Sequence, residues 1–188
     1  MGLDLVLVPF ELRPDAPAEG LSAAAEGLRH SERVEEHLIK AAREEGRAMV
    51  LPDLVPNTHL AMALAEYARD FGPEAHQRVH TAVFDAHYTA GADIGNRDVL
   101  LGVAGDAGLD PDSVIAVWDD GRYDQRLHEY SHLAMHLGID STPAALICNE
   151  LLIGSRPYGV LREAVQRCLL TPETIESEMA AEESDEAD

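Results

Sequence analysis

Positive charge is scarce in this sequence. Lysine and arginine together number 14, and lysine occurs once, at Lys40, whereas aspartate and glutamate number 35. The formal net charge of the 188 residues is therefore -21. A surface this acidic repels phosphate backbones, so nucleic acid is excluded as the expected partner.

Long apolar runs are also missing, although 46% of the residues are hydrophobic. No stretch approaches the roughly 18 to 20 consecutive apolar residues that a membrane span requires. The first residues, MGLDLVLVPF, contain neither the basic region nor the small-residue cleavage site of a secretory signal. We therefore expect no membrane association and a cytoplasmic protein with a buried core.

Cysteine is equally rare, and the two residues of this type, Cys148 and Cys168, form no CxxC pair. Cys148 ends the apolar run AALIC, and Cys168 lies on the apolar stripe of the last predicted helix. This setting favours two buried thiols over a redox couple. No cofactor is predicted.

The hydrophobic pattern predicts a strand, about six helices, a hairpin and a closing helix. LDLVLVPF, near the N-terminus, is short, rich in valine and leucine, and typical of a strand. Three long helices follow, each with a capping residue or proline at its start and a glycine at its end. These residues are Ser31 and Gly46, Asn57 and Gly72, and Pro73 and Gly91.

The last part of the chain changes its period. After two shorter helices and the helix DQRLHEYSHLAMHLG, the runs AALIC and LLIG predict a hairpin with its turn at Asn149 and Glu150. PYGVLREAVQRCLL predicts a closing amphipathic helix. The acid run ESEMAAEESDEAD that follows has too little apolar surface to order itself, so a disordered tail is expected.

The segment GIDSTPAALICNELLIGSRPYGVLREAV resembles the C-terminal half of the thioredoxin fold in the DsbA-like family. PFELRPDAPAEG, NTHLAMALAEYARDFG and FDAHYTAGADIGNRDVLLGVAGDAGLD look like the FrnE-type branch of its dithiol-disulfide oxidoreductases and isomerases. The resemblance runs from Leu3 to about Leu170. It implies an α/β, thioredoxin-like fold with a large helical insertion.

This resemblance also implies a domain organisation. Residues 1–20 and 138–171 would form a partial thioredoxin-like core, 21–137 a helical insertion domain, and 172–188 the acidic tail. Family members begin with an additional strand and a helix that carries the CxxC, whereas this sequence starts at what corresponds to the second strand. We therefore expect an N-terminally truncated core: either the protein's true start lies upstream, or a short form has lost the redox helix.

The reaction implied by the family is thiol–disulfide exchange on a protein or small-molecule disulfide. Neither cysteine of this sequence stands in the CxxC position, so this chain is expected to be inactive in that reaction. By the same resemblance, Pro143 matches the family's cis-proline, and the backbone of Thr142 is expected to bind an extended substrate. The alternative function is a noncatalytic thioredoxin-like module that binds a peptide or a partner. In the short form, a homodimer would cover the exposed sheet edge.

A third alternative comes from the spacing of histidines. His128, Glu129 and His132 match the HExxH pattern of zinc hydrolases, and His136 continues the same helix face, so three imidazoles could hold a metal. The competing interpretation is a solvated polar stripe opposite an apolar face. The absence of any histidine after His136 favours the stripe. A second set, His76, His80 and His87, is also predicted to lie on the surface.

Overall fold

The computed structural model describes residues 4–27 and 29–169. The chain divides into two compact units between Leu133 and Ala134. The predicted acidic tail, 172–188, lies outside the described residues, and the predicted domain boundaries stay a prediction. No helix in the described part of the chain is long and apolar enough to cross a membrane.

Helices make up most of the first unit, in the order that the sequence predicts. They are α1 Glu32–Glu44, α2 His59–Arg69, α3 Pro73–Phe84, α4 Arg97–Asp106, α5 Pro111–Asp119 and α6 Asp124–His136, the last of which runs past the division between the units. A π-helical stretch, Asp85–Thr89, extends α3.

Short polar side chains and prolines define where these helices begin. The Asn96 side chain accepts hydrogen bonds from two backbone N–H groups of α4, and Asp110 caps α5 in the same way. Pro73 occupies the first turn of α3, as predicted. Asn57 is not the N-cap predicted for α2, because that position belongs to Thr58. The Asn57 side chain instead accepts a hydrogen bond from the His59 N–H at 3.0 Å.

The core of the first unit lies between α2 and the helices that follow it. Leu64, Leu100 and Val114 are fully buried there. Trp118 belongs to the same core, and its indole N–H donates to the carbonyl of Leu60 at 3.1 Å. The indole therefore gains apolar contact without leaving its one donor unsatisfied.

A fully buried carboxylate, Glu66 on α2, is surrounded by donors. Arg69 Nη2 lies 2.8 Å from Glu66 Oε1, and Arg126 Nη1, from α6, lies 3.3 Å from Oε2. The Tyr130 hydroxyl donates to the same carboxylate at 3.4 Å. Arg69 also donates to the backbone carbonyl of Leu7. Because a buried charge is tolerated only when it is paired, this cluster fixes α2, α6 and the N-terminal segment together.

The N-terminal strand predicted from LDLVLVPF does not form. Residues 4–10 have no strand conformation, and Leu5 and Val6 are 80% and 68% exposed. A strand requires a neighbour that satisfies its backbone groups, and an apolar pattern alone does not supply one. The strand pair in the described part of this unit is short and lies elsewhere: β1 Leu21–Ser22 runs antiparallel to β2 Leu54–Val55.

The described part of the second unit contains a hairpin and a helix, as predicted. Strand β3, Ala144–Ile147, pairs antiparallel with β4, Glu150–Ile153, and α7 spans Tyr158–Leu169. The turn consists of Cys148 and Asn149, one residue earlier than the predicted Asn149 and Glu150. The reason is that Glu150 pairs with Ile147 as a strand residue, which leaves Cys148, at φ 51°, in the first turn position.

His59, at the start of α2, lies between two carboxylates. Its Nδ1 is 2.9 Å from Glu11 Oε1, and its Nε2 is 3.1 Å from Asp124 Oδ1. The hydrogen bond to Glu11 is the largest cause that raises the pKa of His59 to about 9, against the opposing effect of partial burial. The hydrogen bond to Asp124 raises it further. A protonated His59 therefore connects the N-terminal segment, α2 and α6.

Replacing the buried carboxylate is expected to destabilise the first unit. Glu66→Ala leaves Arg69 and Arg126 without their shared partner and should lower the free energy of unfolding by about 3 kcal/mol. Glu36→Ala, on the exposed face of α1, is the matched control and should change it by less than about 0.5 kcal/mol. Urea unfolding of both variants measures the difference, and equal midpoints would contradict the role assigned to Glu66.

The His59 contacts predict a pH-dependent contribution to stability. The folded pKa, about 9, lies above the ordinary value of 6.5. The contribution is therefore fully present below about pH 6.5 and is lost as the pH rises through about 9. His59→Gln should be less stable than the wild type at pH 6 and nearly equal to it at pH 10, as measured by urea unfolding at both values. A difference in the free energy of unfolding that is the same at both pH values would contradict the role assigned to His59.

Candidate functional site

The Thr-Pro step lies immediately before the hairpin. The peptide bond between Thr142 and Pro143 is cis, and both residues are exposed. The carbonyl oxygen of Pro143 accepts a hydrogen bond from the Gly154 N–H at 2.8 Å. This bond extends the β3–β4 ladder by one position and fixes the proline at the open end of the hairpin.

The outer edge of β3 is unpaired in the described part of the chain, where β3 pairs with β4 alone. In an antiparallel pair, residues that bond to the partner strand alternate with residues whose backbone groups point away. The Pro143 carbonyl accepts its hydrogen bond from Gly154, on the side of β4. The N–H and C=O groups of Ala144 and Leu146 therefore point the other way, to the outer edge of β3. The Leu146 side chain is 53% exposed. This edge is a template for an added strand, and it begins next to Thr142.

The two cysteines meet at the other end of the hairpin. Cys148 and Cys168 form a disulfide, with their Cα atoms 5.9 Å apart. Cys148 is exposed in the turn, and Cys168 is half-buried in the last turn of α7. The prediction of two buried thiols was therefore wrong. Each cysteine lies in an apolar run of its own, and the sequence alone does not show that α7 returns to the turn between the strands.

An ion pair beside the disulfide connects the same two elements. The Arg167 guanidinium contacts both carboxylate oxygens of Glu150 at 2.8 Å through Nη2, and its Nε lies 3.2 Å from one of them. Arg167 precedes Cys168, and Glu150 begins β4. The amino-acid sequence alone does not reveal this pair, because the two residues lie 17 positions apart.

The histidines of the HExxH pattern lie on the surface of α6. His128, His132 and His136 are all exposed, and the rings of His128 and His132 meet edge to face with centroids 4.5 Å apart. Glu129 accepts a hydrogen bond from Gln125 at 2.9 Å. Residues 4–27 and 29–169 contain no group of three or more His, Cys, Asp or Glu side chains placed to hold a metal. The structure thus does not bring the three imidazoles together as a metal site.

The second histidine set was predicted to lie on the surface, and this was wrong for two of its members. His76 and His87 are 6% and 9% exposed. His76 Nε2 lies 3.1 Å from Arg69 Nη2, within the group of side chains around Glu66, and His87 Nδ1 lies 3.2 Å from the carbonyl of Ala92. Burial lowers the pKa of His76 and of His80. Histidine spacing on α3 does not reveal which face turns toward α2.

The family model of the DSBA-like thioredoxin domain matches residues 1–166. The chain belongs to this family. Its structure is similar to that of a probable DsbA oxidoreductase from Streptomyces coelicolor, with a TM-score of 0.69 and 25% sequence identity over 85% of this chain and 72% of that one. The predicted DsbA-like thioredoxin fold is therefore confirmed.

A 2-hydroxychromene-2-carboxylate isomerase is similar in fold, with a TM-score of 0.64 and 18% identity over 88% of this chain and 82% of that one. No curated protein matches the chain in sequence. Family membership supports a function of the thiol–disulfide oxidoreductase or isomerase type, with thiols or disulfides as the general class of substrate. The FrnE-type branch and the roles of Thr142 and Pro143 in binding stay predictions.

Proposed function

We propose that this DsbA-family protein takes part in thiol–disulfide chemistry by binding an extended, cysteine-containing polypeptide along the outer edge of β3. The observation that carries the proposal is this edge, which has no partner strand among the described residues and along which the backbone groups of Ala144 and Leu146 point outward. The edge begins at Thr142 and Pro143, which the family resemblance assigns to substrate binding. A polypeptide bound there would extend the hairpin to three strands.

Main-chain hydrogen bonds would provide most of the recognition. An added strand pairs with the N–H and C=O groups of the edge, whatever its side chains are, so extended segments of many sequences fit. The exposed Leu146 side chain offers an apolar contact on one face. A net charge of -21 further favours neutral or basic segments over acidic ones. These properties suit an unfolded or partly folded polypeptide better than a small anionic ligand.

The proposal assigns binding, and not CxxC chemistry, to this chain. The sequence contains two cysteines, and neither belongs to a CxxC. A noncatalytic module and an oxidoreductase of the family share the binding step, and they differ in whether disulfide exchange follows it. We propose the cytoplasm as the location of this function.

Blocking the outward N–H of one edge residue tests the binding step. Leu146→Pro removes that N–H, and proline is tolerated at a strand edge because the lost donor does not belong to the β3–β4 ladder. We expect the affinity for a fluorescein-labelled, unfolded and alkylated polypeptide to fall about tenfold, as for the loss of one or two hydrogen bonds. Fluorescence anisotropy measures this change.

Leu146→Thr is the matched control. It keeps the outward N–H, removes most of the apolar side chain, and should change the affinity by less than about threefold. Circular dichroism and urea unfolding verify that both variants are folded. Wild-type affinity in a folded Leu146→Pro variant would show that the polypeptide does not pair with β3.

A second copy of the chain is the competing occupant of this edge. Exposed strand edges and apolar side chains favour association, and the N-terminal segment exposes Leu5, Val6 and Val8 by 52% or more. If a second copy occupies the edge, light scattering gives a mass twice that of one chain, and Leu146→Pro shifts the protein toward the monomer. A strictly monomeric wild type at high micromolar concentration would contradict the homodimer and leave the edge to polypeptide.

A further inference from the structure

The disulfide between Cys148 and Cys168 joins two elements that the rest of the second unit holds in place. The Cα separation of 5.9 Å lies within the range in which a disulfide closes without backbone movement. The ion pair between Arg167 and Glu150 spans the same turn and the same end of α7. Opening the disulfide therefore leaves a second contact that keeps the two sulfur atoms near each other.

The two sulfur atoms differ in their access to solvent. Cys148 lies in the exposed two-residue turn, whereas Cys168 is half-buried in the last turn of α7. A thiolate approaching from solvent attacks along the S–S axis and needs a clear path to the sulfur that it attacks. That sulfur is Cys148 Sγ, and the sulfur that leaves is Cys168 Sγ.

From these observations we propose that the Cys148–Cys168 disulfide is a reversible thiol–disulfide exchange site, separate from the β3 edge. Cys148 reacts with external thiols and disulfides, and Cys168 resolves the mixed disulfide that forms on Cys148. Its substrates are dithiols in one direction and disulfides in the other. The proposal does not rest on polypeptide binding at β3.

The exchange is balanced in both directions. An external dithiol attacks Cys148 Sγ through one thiolate, the bond between the two cysteines breaks, and Cys168 takes a proton from water. The second thiol of that dithiol then attacks the mixed disulfide and releases Cys148, so two electrons pass to the pair and the dithiol becomes a disulfide. In reverse, the Cys148 thiolate attacks a substrate disulfide, and Cys168 attacks the mixed disulfide and releases the second substrate thiol.

Single-cysteine variants of the full chain test the assigned roles. Cys168→Ser leaves Cys148 alone and should form a stable mixed disulfide with oxidised glutathione. Cys148→Ser leaves the half-buried Cys168, which should react at least about tenfold more slowly because it is less accessible. Acid quenching followed by intact mass spectrometry measures both rates. Equal rates, or a faster Cys168, would overturn the assignment.

The wild-type pair is tested under native conditions. We expect dithiothreitol to open the disulfide in the folded protein and a glutathione buffer to close it again, with protein thiols counted by alkylation and mass. A bond that opens only at denaturant concentrations that unfold the chain would overturn the proposal, as would cysteines that never pair in oxidised glutathione. Exchange is measured with dithiothreitol and glutathione, and β3 binding with the labelled polypeptide, so failure of the β3 proposal and failure of this one are distinguished.

The ion pair supplies a further readout that is specific to exchange. Arg167→Gln removes the second contact between the turn and α7, which lowers the effective concentration of Cys168 at Cys148. In a glutathione buffer, the ratio of mixed disulfide to closed disulfide should rise by up to about fivefold, the range expected of an exposed ion pair. Arg162→Gln, on an exposed position of α7, is the matched control and should leave the ratio unchanged. A rise in both variants would contradict the role of the Arg167 contact.

Discussion

The β3–β4 hairpin is ordered because it is tied at both of its ends. At the open end, the Gly154 N–H bonds to the carbonyl of Pro143, and at the turn the disulfide attaches Cys148 to α7. Two strands alone are marginally stable in water. Among the described residues of the second unit, the buried apolar side chains are only those of Ala134 and Ala164. Covalent and ionic links therefore compensate for a small core, and the outer edge of β3 has no partner strand in the described part of the chain.

The first unit is stabilised in a different way, by a buried core and a cluster of charged side chains. Its helices bury a continuous apolar core and, beside it, a charged group that would be costly if unpaired. Glu66 takes its partners from α2 and α6, and through Arg69 the same cluster binds the backbone of the N-terminal segment. His59 makes a second connection among these elements. The N-terminal segment is thus held by polar contacts, while the side chains of Leu5, Val6 and Val8 remain exposed.

The helices were predictable because their signals are local. Caps, first-turn prolines and closing glycines act within one turn of the chain. The Thr-Pro step was assigned to the candidate site by the family resemblance and not by a local signal. The other features depend on neighbours that are distant in sequence. LDLVLVPF has the composition of a strand without a pairing partner, and Cys148 and Cys168 meet only because α7 returns to the turn. Likewise, the burial of His76 follows from which face of α3 meets α2.

The pair Arg167 and Glu150 has a consequence for the medium in which the protein works. Both side chains are largely in contact with solvent, 56% and 40% exposed, so dissolved ions weaken their attraction, with a screening length of about 8 Å at physiological ionic strength. While the disulfide is closed, this weakening of the ion pair has little effect, because the strength of a covalent bond does not depend on salt. Once the disulfide is open, the strength of the contact between α7 and the hairpin depends on the salt concentration of the solution as well as on the protein.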